Sequence, residues 1–100
     1  MIAYKLLRVR KDGTLGSLFI GRREHLKVGT WLRSRFIPTR GFAKRRGWHC
    51  TESPHAPHLS MEGREWYIVD IPDESQVLVR PKSQGGTWFL ARRMKILGPS

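Results

Sequence analysis

The chain has one cysteine, no apolar run approaching the roughly 20 residues that span a bilayer, and only two carboxylates, Asp12 and Glu24, in its first fifty residues. Each shortage excludes something. A lone Cys50 forms no internal disulfide, which fits a reducing compartment and leaves packing to hold the domain. Met1 to Arg10 mixes charged with apolar positions and has no signal-peptide core, so the expected location is cytoplasmic, with no membrane as partner. Paired Cys-x2-Cys motifs are missing, and with them the strong signature of a structural zinc site. Phosphate-loop and dinucleotide glycine patterns are missing too. Gly41 and Gly47 are too far apart, and Gly85-Gly86 has no Lys-Ser or Lys-Thr behind it.

What the chain does have is positive charge, unevenly placed. The formal net charge is +11, and residues 1 to 50 carry all of it: thirteen Lys or Arg there face two acids, whereas six cations face six acids in residues 51 to 100. A uniform coat of charge serves solubility, but a half this basic beside a neutral half points to a directed field that attracts anions. With 100 residues, 39% of them apolar, and four Trp and four Phe, the chain suffices for one domain, residues 1–100, with its own core.

The pattern along the chain predicts an α+β domain, mostly antiparallel β with one short helix and about five to seven strands. Ile2 to Val9, then Lys11-Asp12-Gly13-Thr14, then Leu15 to Ile20 reads as a β-hairpin, because Gly tolerates the positive φ of a tight turn. Gly47 to Thr51 reads as a short strand, and Ser53-Pro54 as an N-cap and first helical residue of a helix kept short by Pro57 and closed by Gly63. Arg64 to Ile71 alternates as a half-buried strand does, and Gln76 to Arg80 repeats the signal. Thr87 to Leu97 fits either a strand or a helical face; the glycines on both sides favour strand.

Two constellations carry candidate chemistry. His49, Cys50, His55 and His58 are zinc-binding residue types, yet neighbours in a strand point to opposite faces, so His49 and Cys50 are poorly placed to share an ion. They remain weak metal candidates, and Cys50 reads as a small core residue in preference to a nucleophile. The basic set is larger. Arg8, Arg10, Arg22, Arg23, Arg33, Arg35, Arg40, Lys44, Arg45 and Arg46 are the candidate anion-binding residues, with Arg40, Lys44, Arg45 and Arg46 as the expected anchors. Thirteen of the nineteen cations are Arg, whose planar fork grips phosphate or carboxylate in two places. Trp31, Phe36 and Trp48 lie among them as candidate stacking platforms, although most rings in a domain this small must build its core.

The runs Gly41-Phe-Ala-Lys-Arg-Arg-Gly-Trp-His-Cys, Ser53-Pro-His-Ala-Pro-His-Leu, Gly63-Arg-Glu-Trp-Tyr and Gln84-Gly-Gly-Thr-Trp-Phe-Leu-Ala resemble small tailed-bacteriophage proteins across nearly the whole chain. That resemblance implies a phage or prophage origin and the cytoplasm of a bacterial host. It also implies the class of host-takeover or anti-defence factors, inhibitors of CRISPR complexes among them. A fainter likeness joins Gly47-Trp-His-Cys-Thr-Glu-Ser-Pro-His-Ala to the glycine-aromatic strand and short helix of ADP-ribosyltransferase-like domains. It implies Arg8 or Arg10 beside NAD and Trp88 near the last catalytic element. Those enzymes use a late glutamate, and here no acid follows Glu74, so the likeness implies a degenerate version. The expected work is binding without turnover and without a cofactor. The expected partner is nucleic acid, a host ribonucleoprotein, or a protein with an acidic surface.

Overall fold

Strand β1 (Ile2–Val9) has Ala3 and Leu7 fully buried on one face and Tyr4, Arg8 and a buried Leu6 on the other. The turn after it follows from its residues. Gly13 takes φ +85°, its N–H donates to the Arg10 carbonyl, and the Asp12 carboxylate accepts from the Thr14 backbone and hydroxyl at 3.0 and 2.7 Å. These two bonds hold the Asp12 carboxyl below its usual range. The computed structural model describes residues 1–18, 24–34 and 47–100. The returning strand β2 is short (Leu15–Gly16), pairing Val9 with Leu15 and Arg8 with Gly16; Phe19 and Ile20 of the expected longer strand lie outside the described residues.

The remaining strands are β3 (Trp31–Arg33), β4 (Trp48–Thr51), β5 (Arg64–Asp70), β6 (Gln76–Val79), β7 (Thr87–Ala91) and β8 (Arg93–Pro99). All their strand-to-strand pairings are antiparallel, in the order β3-β8-β5-β1-β4-β7-β6, with β2 attached to β1. Arg92 alone joins β7 to β8, yet four strand spacings, about 19 Å in a flat sheet, separate them in that order. Two consecutive Cα steps reach only about 7 Å. The sheet therefore curls until its two flanks meet. Two contacts mark the meeting: Trp48 Nε1 donates to the Leu32 carbonyl at 2.9 Å, and the Ser34 N–H to the Arg92 carbonyl at 2.8 Å. Inside the curl lie Leu7, Cys50, Val69, Ile71, Ala91, Met94 and Ile96, in one cluster.

The expected α+β class with one short helix is overturned. Among the described residues 51% are strand and 4% helical, with no α-helix, and the domain is nearly all antiparallel β. Residues 53–63 form turns, and the reason lies at Pro57. A helix begun at Pro54 needs the residue-57 N–H on the Ser53 carbonyl, and proline has none. That carbonyl instead accepts from the His55 N–H at 2.7 Å and from the Thr51 hydroxyl. The helical element that the described residues do hold is a single 3-10 turn, Lys82–Gln84. Thr87 to Leu97 is strand, as favoured, but split at Arg92 into two elements that serve opposite flanks of the sheet.

Candidate polyanion interface

Strand register builds the site. Pairing of β3 with β8 sets Trp31 opposite Lys95, Leu32 opposite Met94, and Arg33 opposite Arg93. Met94 is fully buried, so Leu32 faces the core and the other four side chains share the outer face. Trp31 stays 43% exposed. The Arg93 guanidinium carbon sits 5.2 Å from its ring centroid and the Lys95 ammonium 6.0 Å, both within range for cation–π attraction. Exposed Lys27 and Val28 flank the ribbon, since Val28 bridges to Ile96, and exposed Arg92 stands at its corner.

The electrostatics around this ribbon are lopsided. Asp70, opposite Lys95 on β5, is engaged by the Met1 ammonium at 3.1 Å, which also reaches Asp73 at 2.8 Å. The Asp73 hydrogen bond raises the ammonium's pKa, and the ammonium in turn lowers that of Asp73. The carboxylate opposite Lys95 thus already has a cation, and the ribbon keeps its positive field. An exposed indole ringed by cations can stack on a nucleobase while the charges meet phosphates.

The expected residues divide sharply. Trp31 and Arg33 are brought together here. Arg22, Arg23, Arg35, Arg40, Lys44, Arg45, Arg46 and Phe36 lie outside the described residues. Arg8 is half-buried near the far end of β1. Arg10 belongs to the hairpin: its Nη1 donates to the Leu15 carbonyl and its Nη2 to the Glu24 carbonyl, each at 2.7 Å. Trp48 is half-buried, packed against the core with its N–H bonded to the Leu32 carbonyl.

The weak metal candidates do not converge. Among the described residues no three His, Cys, Asp or Glu side chains form a metal-holding group. Cys50 is fully buried, and burial pushes its thiol up to about 11, which makes it inert as a nucleophile. His55 and His58 are exposed in the turns after β4, with the His58 ring edge-on to Trp88 at 6.1 Å. The glycine-aromatic strand of the transferase likeness exists as β4, but turns replace the helix that should follow it. Among the described residues no helix is long and apolar enough to cross a membrane.

Sequence reasoning missed Arg92, Arg93 and Lys95, which sit in the nominally neutral half. A signal was available: Arg93-Met94-Lys95-Ile96 alternates charge with apolar bulk, the mark of a strand whose second face is cationic. No family model, curated protein or solved structure matches the chain.

Proposed function

We propose that the domain is a non-enzymatic binding module for single-stranded nucleic acid, which it engages through Trp31, Arg33, Arg93 and Lys95. One observation carries this reading: an exposed indole held on a strand, with two cations within 6.0 Å of its ring. Single strands expose base faces that an aromatic side chain can stack on, whereas a duplex hides them. The likeness to small phage proteins supports a phage-encoded factor acting on host nucleic acid or a ribonucleoprotein, with anti-defence activity as one such role.

The test is a salt titration of binding to a short fluorescent single-stranded oligonucleotide. Three or four phosphate contacts give a slope of log K on log salt of about −2 to −3. Wild-type protein should show that slope together with quenching of tryptophan fluorescence that Trp31→Ala removes. A flat salt response sinks the proposal. Binding only to an acidic protein that survives nuclease treatment sinks it too.

A further inference from the structure

A second cationic feature lies at the other end of the outer face, about 20 Å from the Asp70 end of β5, since Arg64 is six residue steps from Asp70 along the strand. There the register of β1 on β5 puts Arg8 directly opposite Arg64, both half-buried. Like charges set opposite each other across strands are destabilising. Arg8 Nε is also shut off from solvent with no hydrogen-bond partner, a costly state for a charged donor. Beside it opens a cleft of about 350 Å³, bounded by residues 8–11 on one side and 62–64 on the other.

The walls of this cleft are fixed. The Val9 N–H donates to the Gly63 carbonyl at 2.9 Å, and the Arg64 N–H to the Met61 carbonyl at 3.1 Å. Gly63 takes φ +66°, a turn conformation that a side chain would resist. Arg64 Nη1 is anchored on the Ser60 carbonyl at 3.0 Å and Arg10 on the carbonyls of Leu15 and Glu24. Lys11 is exposed at the rim. Four cations line the cleft against one carboxylate, Glu62.

We propose that this cleft binds one phosphate group, bridging Arg8 and Arg64, with Lys11 closing over it. A phosphate monoester carries about −1.5 to −2 charges near neutral pH, which suits this excess better than a single carboxylate does. Its oxygens would accept from the outer nitrogens of the Arg8 guanidinium and offset the like-charge pairing of Arg8 with Arg64 across the strands. The site uses none of the Trp31 ribbon, so it stands or falls separately from the proposed single-strand binding.

The experiment follows the arginine Nε–H resonances of the isotope-labelled chain while sodium phosphate replaces sodium chloride at constant ionic strength. The Arg8 resonance should move and saturate, and Arg8→Lys and Arg64→Lys should each weaken phosphate binding on the order of tenfold. Trp31→Ala should leave it unchanged. A parallel titration with adenosine monophosphate separates the sources: tighter binding than inorganic phosphate identifies an ester, equal binding the free ion. A linear response matching chloride overturns the proposal, as does saturation that persists in both lysine variants, whose folding a thermal melt checks.

Discussion

Lys5 and Arg10 in one region, and Arg33, Arg93 and Lys95 in the ribbon, each add one unit to the formal charge but do different work. Lys5 lies on the face of β1 that carries Ala3 and Leu7. It is half-buried, its ammonium donates to the His49 carbonyl at 2.7 Å, and it stands 5.9 Å from the Trp48 ring. Burial lowers its pKa. Arg10 holds the hairpin to the segment at Glu24. The ribbon residues Arg33 and Arg93 are exposed, and Arg93 and Lys95 gather about an exposed ring. A count of charges therefore overstates the charge available to a partner, because part of it is structural.

The strongest way to break this comparison is Arg10→Ala. Two hydrogen bonds from a charged group to carbonyls vanish together, and each is worth roughly 1.5–3 kcal/mol, so a loss of about 3 kcal/mol is expected. Urea denaturation measures it. Gly16→Ala should act by the same route, since an added Cβ would lie 2.5 Å from Arg10 Nη2. If Arg10→Ala leaves stability intact and weakens oligonucleotide binding instead, Arg10 belongs with the ribbon.

Next in size is the alkaline behaviour of the interior. The thiol of Cys50 ionises near its ordinary 9.0 in the unfolded chain and only near about 11 when folded. Between those values the unfolded state has released a proton that the native state keeps, so stability falls as pH rises, by about 2–3 kcal/mol across the window. Tyr67, also raised by burial, adds to the fall above its ordinary 10.0. In Cys50→Ala the thiol's share of this fall should be missing from denaturation curves at pH 9 and 11. An unchanged profile would mean that Cys50 is not sealed in the core.

Trp31→Ala tests the other side of the comparison. Loss of one stacking platform costs about 1–3 kcal/mol of single-strand binding, roughly tenfold or more in affinity, and should leave folding nearly unchanged because the ring is exposed. Lys95→Glu should flatten the salt slope by about 1. A Trp31→Ala variant that unfolds would show the ring to be a core residue.

How much of this was legible in the sequence depends on what each feature rests on. Asp12-Gly13 and the alternation of Arg64 to Ile71 are local, and both became the elements they announced. The helix after Ser53 failed because Pro57 does more than shorten it: its missing N–H removes the first intrahelical bond, the one to the Ser53 carbonyl. Arg92 was invisible for another reason. Period-two alternation continues through a change of strand, so the corner that sends β7 and β8 to opposite flanks leaves no mark in the pattern. At the site, Trp31 and Arg33 were readable as an aromatic among cations. Arg93 and Lys95 were not, because dividing the chain at residue 50 separates residues that antiparallel pairing sets face to face.

The smallest expected effect is also the most discriminating. Lys5→Met keeps an unbranched side chain one atom shorter, removes a charge from a low-dielectric site and gives up the bond to the His49 carbonyl. These effects oppose each other, as they do when buried ionic groups are replaced by apolar ones of similar shape, so stability at pH 7 should move by no more than about 1 kcal/mol. Binding to the oligonucleotide should not change at all, although the variant loses the same formal charge as Lys95→Met. The pH dependence supplies the sign. With its folded pKa below the ordinary 10.5, Lys5 costs stability while charged, and that cost is relieved as pH rises through the folded value toward 10.5. In a Cys50→Ala background, where the opposing loss from the thiol is gone, this rise should be measurable and Lys5→Met should remove it. A Lys5→Met variant that instead weakens binding as much as Lys95→Met would place the interior cation within reach of the ligand and dissolve the distinction between the two regions.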